Sequence, residues 1–160
     1  MKKAVFFDPY LDTLGGGERY TLTFAEILLD EGWRVSLLWK KDDILKKAEE
    51  RFNLNLGKIE TFPLEILNNS LIQKYHFFKD YQLYFHLSDG SVPLMFAQKN
   101  LLHFQVPFKK AEGRSFSNRL KLKSVDEVVC NSFFTKKIID KEFGVESRVL
   151  YPPVAVEDFY

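Results

Sequence analysis

Short apolar runs alternate with amphipathic stretches along almost the whole chain, and that rhythm leaves few folds open. The runs Lys3–Phe7, Arg34–Trp39, Lys58–Phe62, Tyr81–Leu87, Asn100–Phe104, Glu127–Cys130 and Arg148–Leu150 each have the length of a strand. Most are separated by segments with apolar residues at helical spacing. Glu18–Glu31 carries Tyr20, Phe24, Ile27 and Leu28 in one stripe, widened by Ala25 and Leu29. Asp42 or Asp43 can cap a helix with Ile44, Leu45, Ala48 and Phe52 on one side. Leu64–Phe78 presents Leu64, Leu67, Leu71, Tyr75 and Phe78, and Ser91–Ala97 reads as a short helix with Pro93 in its first turn. Asn131-Ser132 offers a cap for a helix carrying Phe134, Ile138, Ile139 and Phe143, while Gly32 and Gly144 stand where helices end. Sustained alternation of this kind predicts an α/β domain: a seven-stranded, mostly parallel sheet with helices on both faces.

The first of these junctions carries the strongest local signal. Val5-Phe6-Phe7 runs into Asp8-Pro9, a short polar loop follows, and Gly15-Gly16-Gly17 precede Glu18 at the head of the first helix. In a parallel sheet that turn lies at the carboxyl edge, where ligands bind. Adjacent glycines let backbone approach a ligand without a Cβ in the way, and the first turn of the helix offers unpaired N–H groups to an anion. A plain tight turn uses the same residues. The spacing is neither G-x-G-x-x-G nor G-x-x-x-x-G-K-[ST]. A nicotinamide site also wants an acid after the second strand, and Trp39-Lys40-Lys41 stands there.

Composition removes other classes. With 160 residues, 46% of them hydrophobic, the chain suits one globular domain with its own core. A net charge of +1 gives no general basis for a nucleic-acid partner. The single Cys130 sits in an apolar run and suits a reducing, cytoplasmic setting as a small core residue. The histidines at 76, 86 and 103 fit no zinc spacing, so no metal is expected. The apolar run after Lys3 is too short for a signal peptide or a membrane span.

Two further sets of residues are candidates for function. Asp8, Ser88-Asp89-Gly90 and His103 all fall at strand ends. His103 can donate a hydrogen bond to a sugar hydroxyl or a phosphate, or it can be a satisfied core histidine; Asp89 also fits a simple turn. The stretch from Lys99 to Lys123 holds Lys109, Lys110, Arg114, Arg119 and Lys121 with Glu112 as its only acid, interleaved with Phe108, Phe116, Leu120 and Leu122. It reads as a mobile or protruding segment. Such a pattern fits an anionic membrane surface, a solvated face with some core contacts, or a single-stranded nucleic-acid groove.

Three segments together resemble the amino-terminal domain of family 4 glycosyltransferases. They are Gly15-Gly16-Gly17-Glu18 after the opening strand, His103-Phe104 followed by Pro107, and the block Val129-Cys130-Asn131-Ser132-Phe133-Phe134-Thr135, Gly144-Val145, Val149-Leu150-Tyr151-Pro152-Pro153-Val154. Gln105-Val106 separates Phe104 from Pro107, where the family runs His-aromatic-Pro without a break. The resemblance implies one Rossmann-like lobe of a two-lobed GT-B fold over residues 1–154, with 155–160 beginning the linker to a nucleotide-sugar lobe. It implies an enzyme, a retaining hexosyltransferase that moves sugar from a nucleotide sugar to a lipid-linked or cell-surface glycan. His103 would be catalytic, and Gly15, Gly16, Gly17 and Glu18 would bind substrate or donor phosphate. Asp89, Lys109, Lys110, Arg114 and Arg119 would touch acceptor or membrane. No cofactor or obligatory metal is implied, and the expected setting is cytoplasmic, peripheral at the inner face of the membrane. The fragment alone is expected to fold but not to turn over. The alternative is a stand-alone, non-catalytic ligand-binding, membrane-binding or nucleic-acid-binding module.

Overall fold

The computed structural model describes residues 1–40 and 43–154. The first strand, β1 (Lys3–Phe7), is apolar on both sides, and Ala4, Val5 and Phe6 are fully buried. A strand buried on both faces belongs in the middle of a parallel sheet. β2 (Arg34–Leu38) and β3 (Glu60–Phe62) lie to one side of it, and β4 (Leu83–Leu87), β5 (Asn100–Phe104), β6 (Glu127–Cys130) and β7 (Arg148–Val149) to the other. The order is β3-β2-β1-β4-β5-β6-β7, and every pairing is parallel. The expected α/β architecture with its seven strands is therefore present. The sheet ends in short edges, three residues in β3 and two in β7. The chain reverses its winding direction between β1 and β4, which places a crevice beyond Phe7 and Leu87.

Helices cover both faces. α1 (Gly16–Asp30) and α2 (Ile44–Phe52) bury Tyr20, Leu22, Ala25, Leu28, Ile44, Ala48 and Phe52 against Phe6, Leu37 and Phe85. The opposite face receives α3 (Leu71–Phe78), where Phe78 packs with Val5, Leu38 and Tyr84. It also receives α5 (Phe133–Phe143), whose Ile139 and Phe143 pack with Leu102, Phe104, Val128 and Cys130. A short α4 (Phe116–Leu122) lies beside α5 and sends Leu122 into the same cluster. Cys130 is buried with its thiol against the Ser147 hydroxyl at 3.4 Å, as a core cysteine should be. No helix among the described residues is long and apolar enough to cross a membrane.

Several local expectations are corrected. The segment Leu64–Phe78 is not one helix: a 3-10 stretch over Leu64–Asn68 stops, and Ser70 caps α3 by accepting from the Gln73 N–H while Gln73 Oε1 accepts from Ser70 N. That break rotates Leu71 and Tyr75 out to solvent. Ser91–Ala97 forms no helix. There the Met95 N–H donates to Ser124 Oγ and the Ala97 N–H to Asn100 Oδ1, so side chains replace the carbonyls a helix would supply. In α5 the buried stripe is Thr135–Ile139–Phe143, and Phe134 points to solvent. The alternation in Tyr81–Leu87 suggests one covered face, yet Tyr84 and His86 between the apolar residues are buried as well. Asp43 flanks α2 but makes no side-chain cap; Asp42 and the linker at 155–160 lie outside the described residues.

The segment after β5 forms a strap rather than a free loop. Phe108 packs on Phe104 with ring centroids 6.1 Å apart and lies where a Cβ on Gly90 would stand, its ring 2.9 Å away. Further on, Gly113 passes so close to α5 that a Cβ would sit 2.5 Å from the Phe143 ring. Between these contacts Lys110 and Glu112 hold left-handed backbone, φ 58° and 50°.

Candidate functional site

The glycine turn is built from the inside. Asp8 follows β1 and is fully buried; its Oδ1 accepts from Tyr10 N at 2.9 Å and its Oδ2 from Thr21 Oγ1 at 2.8 Å. Those two bonds fold the chain back through a 3-10 turn at Leu11–Thr13 and tie it to α1. Burial pushes the Asp8 carboxyl up to about 6, against the two hydrogen bonds, with Glu18 and Asp12 adding like-charge repulsion. Glu18, expected to bind substrate or donor phosphate, is engaged within the turn. It is buried, and its Oε2 accepts from Gly15 N at 2.6 Å and Thr13 Oγ1 at 2.9 Å. It caps its own helix, half of a capping box whose glycine has no side chain to return the bond.

The helix begins at Gly16, so two of the three glycines belong to its first turn instead of a loop ahead of it. They do different things. A Cβ on Gly16 meets nothing within 4 Å. A Cβ on Gly17 would lie 2.0 Å from Gln105 Oε1, and the Gln105 side-chain amide donates to the Gly17 carbonyl at 2.9 Å. Beside Gly15 and Gly16 a shallow depression carries Arg19 and Arg51, with Phe52 between helices. First-turn N–H groups with two guanidinium groups nearby suit an anion.

His103 ends on the same face, near the close of β5. It is 0% exposed, tilted against Tyr20 at 4.4 Å and stacked on Phe85 at 5.4 Å between ring centroids. Neither ring nitrogen has a hydrogen-bond partner in the protein. Burial holds the ring down to about 3, so it is neutral at physiological pH, with one nitrogen a donor and the other an acceptor. Leaving such atoms unpaired costs about 1–3 kcal/mol each. His103 is thus not the satisfied core histidine that position alone allows.

One strand over, the cap of α5 is Ser132, whose Oγ accepts from Thr135 N at 3.2 Å. That frees Asn131. Its amide donates to the Gln105 carbonyl at 2.8 Å, and its Oδ1 is buried without a partner. Tyr20 completes the arrangement by donating from its hydroxyl to the Leu150 carbonyl at 3.3 Å. Gly17, Tyr20, His103, Gln105 and Asn131 therefore line one carboxyl-edge network from α1 to β7.

No protein-family model matches this chain, and no curated protein matches it.

The remaining candidates separate. Asp89 lies at this edge but forms a turn: its Oδ1 accepts from Ser91 N at 3.0 Å and Ser91 Oγ at 2.7 Å. His86 is buried in the sheet with Nδ1 2.8 Å from the Tyr84 hydroxyl, a packing role. Lys109 and Lys110 belong to the strap, where Lys110 N donates to Glu142 at 3.1 Å. Arg114 donates from Nε to the Lys141 carbonyl at 2.9 Å, and Arg119 lies on α4, both away from the glycine turn. Among the described residues no cluster of His, Cys, Asp and Glu has the geometry to hold a metal. Gln105, Asn131, Tyr20, Arg19 and Arg51 were not singled out as site residues by pattern. Gln105 leaves a trace as the first residue of the insertion that separates Phe104 from Pro107, and Asn131 as a cap candidate in the Val129–Thr135 block.

Proposed function

We propose that this chain is the amino-terminal, acceptor-side domain of a retaining hexosyltransferase that uses a nucleotide sugar and acts on a lipid-linked or cell-surface glycan. On this reading it works in the cytoplasm, at the inner face of a membrane, and forms one wall of a cleft whose other wall is a nucleotide-sugar lobe. The observation that carries the reading is His103: a neutral, wholly buried ring with two unpartnered nitrogens at a sheet's carboxyl edge, beside a glycine-started helix. In the transfer the bond from the anomeric carbon to the diphosphate oxygen breaks. A bond from that carbon to the acceptor oxygen forms, and the acceptor's proton passes to the leaving diphosphate. His103 donates a hydrogen bond to the reacting sugar or the acceptor, while the α1 terminus with Arg19 and Arg51 faces the developing negative charge.

The test is acceptor-dependent nucleotide release from UDP- and GDP-hexoses. This chain alone should show none, because one wall cannot hold donor carbon and acceptor oxygen in near-attack geometry. Joined to a matching nucleotide-sugar lobe it should turn over. His103→Phe should keep the fold, since an apolar ring suits the Tyr20–Phe85 stack, yet lose about 100-fold in turnover, the order of one lost transition-state hydrogen bond. Turnover by the chain alone, or full activity in the His103→Phe enzyme, would refute this reading. Sugar or phosphate bound without turnover by the joined protein would favour a non-catalytic binding domain.

A further inference from the structure

Helix α4 and the groove beside it lie at the other end of the sheet. α5 returns antiparallel to β6, so its last residue Phe143, and Gly144 and Val145 after it, mark the amino-terminal edge. Ser115 caps α4 by accepting from Asn118 N at 3.3 Å, and Leu122 turns inward. Phe116, Arg119, Leu120 and Lys123 then follow at spacings of three and four residues, one stripe of a helix surface. Phe116 is 79% exposed and Leu120 48%. Between α4 and the end of α5 runs a groove of about 660 Å³ that carries Arg114, Arg119 and Lys123 and no acid.

Arg114 donates from Nε to the Lys141 carbonyl, and none of these cations is neutralised among the described residues. Among the described residues no carboxylate pairs with Arg114, Arg119, Lys121 or Lys123. Two of the acids next along the same edge are engaged elsewhere: Asp126 faces Lys99 at 3.6 Å and Glu127 holds Arg148 at 2.8 Å. Two large apolar side chains inside a frame of cations without carboxylate partners form a surface with two requirements, hydrocarbon and negative charge. A single-stranded nucleic acid meets the second and can stack a base on Phe116, but offers no hydrocarbon to Leu120. A bilayer with anionic headgroups meets both.

We propose that α4 docks this protein on an anionic phospholipid bilayer, with Phe116 and Leu120 entering the boundary between headgroups and acyl chains and Arg114, Arg119 and Lys123 meeting the lipid phosphates. The surface stands apart from the carboxyl edge and does not depend on the reaction proposed there.

The test is partitioning of the purified chain onto vesicles of phosphatidylcholine alone and of phosphatidylcholine with phosphatidylglycerol in equal parts, at low and high salt. The chain should bind the anionic vesicles and leave the neutral ones, and binding should weaken with salt. Arg119→Ser with Lys123→Ser should lower partitioning about 30-fold at low salt, the effect of two near-surface cations. Phe116→Ser with Leu120→Ser should weaken it at both salt concentrations. All four side chains sit on the outer face of α4, so circular dichroism should show the fold unchanged. A Phe116→Trp variant should move its emission to shorter wavelength on anionic vesicles alone. Equal binding to both vesicles, unchanged binding by either double variant, or tighter binding of a single-stranded oligonucleotide than of anionic vesicles at the same salt would overturn the proposal.

Discussion

Replacing Asp8 with Asn removes one charge from the floor of the glycine turn and leaves its shape intact. The new amide keeps an acceptor for Tyr10 N. It turns a donor toward Thr21 Oγ1, whose own proton can then serve the Gly17 carbonyl, already 3.3 Å away. The expected gain follows from the carboxyl. Its value rises from 3.8 to about 6 on folding, chiefly through burial. A group whose folded value lies above its unfolded value favours folding fully below the unfolded value and loses that contribution as pH rises through the folded one. At about 1.36 kcal/mol per pH unit, Asp8 gives up about 3 kcal/mol over its whole titration, of which about 2 kcal/mol falls between pH 4 and pH 7. The amide of the Asp8→Asn variant titrates nowhere in this range. Urea unfolding of both proteins should therefore show the Asp8→Asn advantage growing by about 2 kcal/mol from pH 4 to pH 7 and staying flat above. The other carboxylates are common to both proteins and cancel in the difference. A difference constant with pH would mean that Asp8 titrates alike in both states, and the account of its burial would fail.

The glycines give two sharper contrasts. Gly16→Ala meets open space and should stabilise by up to about 1 kcal/mol through helix propensity, whereas Gly17→Ala must displace Gln105 and lose its bond to the Gly17 carbonyl, so thermal melts should show no gain. A gain of equal size at both positions would refute the Gln105 contact. Gly113→Ala drives a Cβ to within 2.5 Å of the Phe143 ring and 2.9 Å of the Glu142 carbonyl, and should cost about 1–3 kcal/mol in denaturant unfolding; a neutral change would mean that the strap does not press on α5.

How far the residues foretell the molecule depends on the range of the signal. Strand–helix alternation is local, and all seven strands were legible from it, along with the helix-ending glycines at 32 and 144, whose φ values are 78° and 68°. The break ahead of α3 was written as Ser70 with Gln73 three residues on, a capping box hidden inside an apolar stripe that runs straight through it. Phe134 shares a helical stripe with Ile138, yet both it and Phe133 stand in solvent, because tertiary contact turns the neighbouring stripe that starts at Thr135 inward. At the site, His103 was legible by its place at a strand end. Its lack of partners was not, because that depends on Tyr20 and Phe85 closing around it. The bond from Gln105 to Gly17 spans 88 residues and has no local pattern at all. The capping role of Glu18 is not visible in sequence, because it shows only when the Gly15 N–H is seen to point at its carboxylate.

The brevity of the outer strands sets how this molecule can meet others. β3 offers three residues of unpaired edge and β7 two, and Pro152 and Pro153 just past β7 have no N–H to donate. A passing extended peptide finds no length of backbone to zip onto, so neither strand-by-strand polymer growth nor capture of a partner by strand addition has a template here. Among the described residues, contacts with another chain fall to helix faces and to the loops at the sheet's ends.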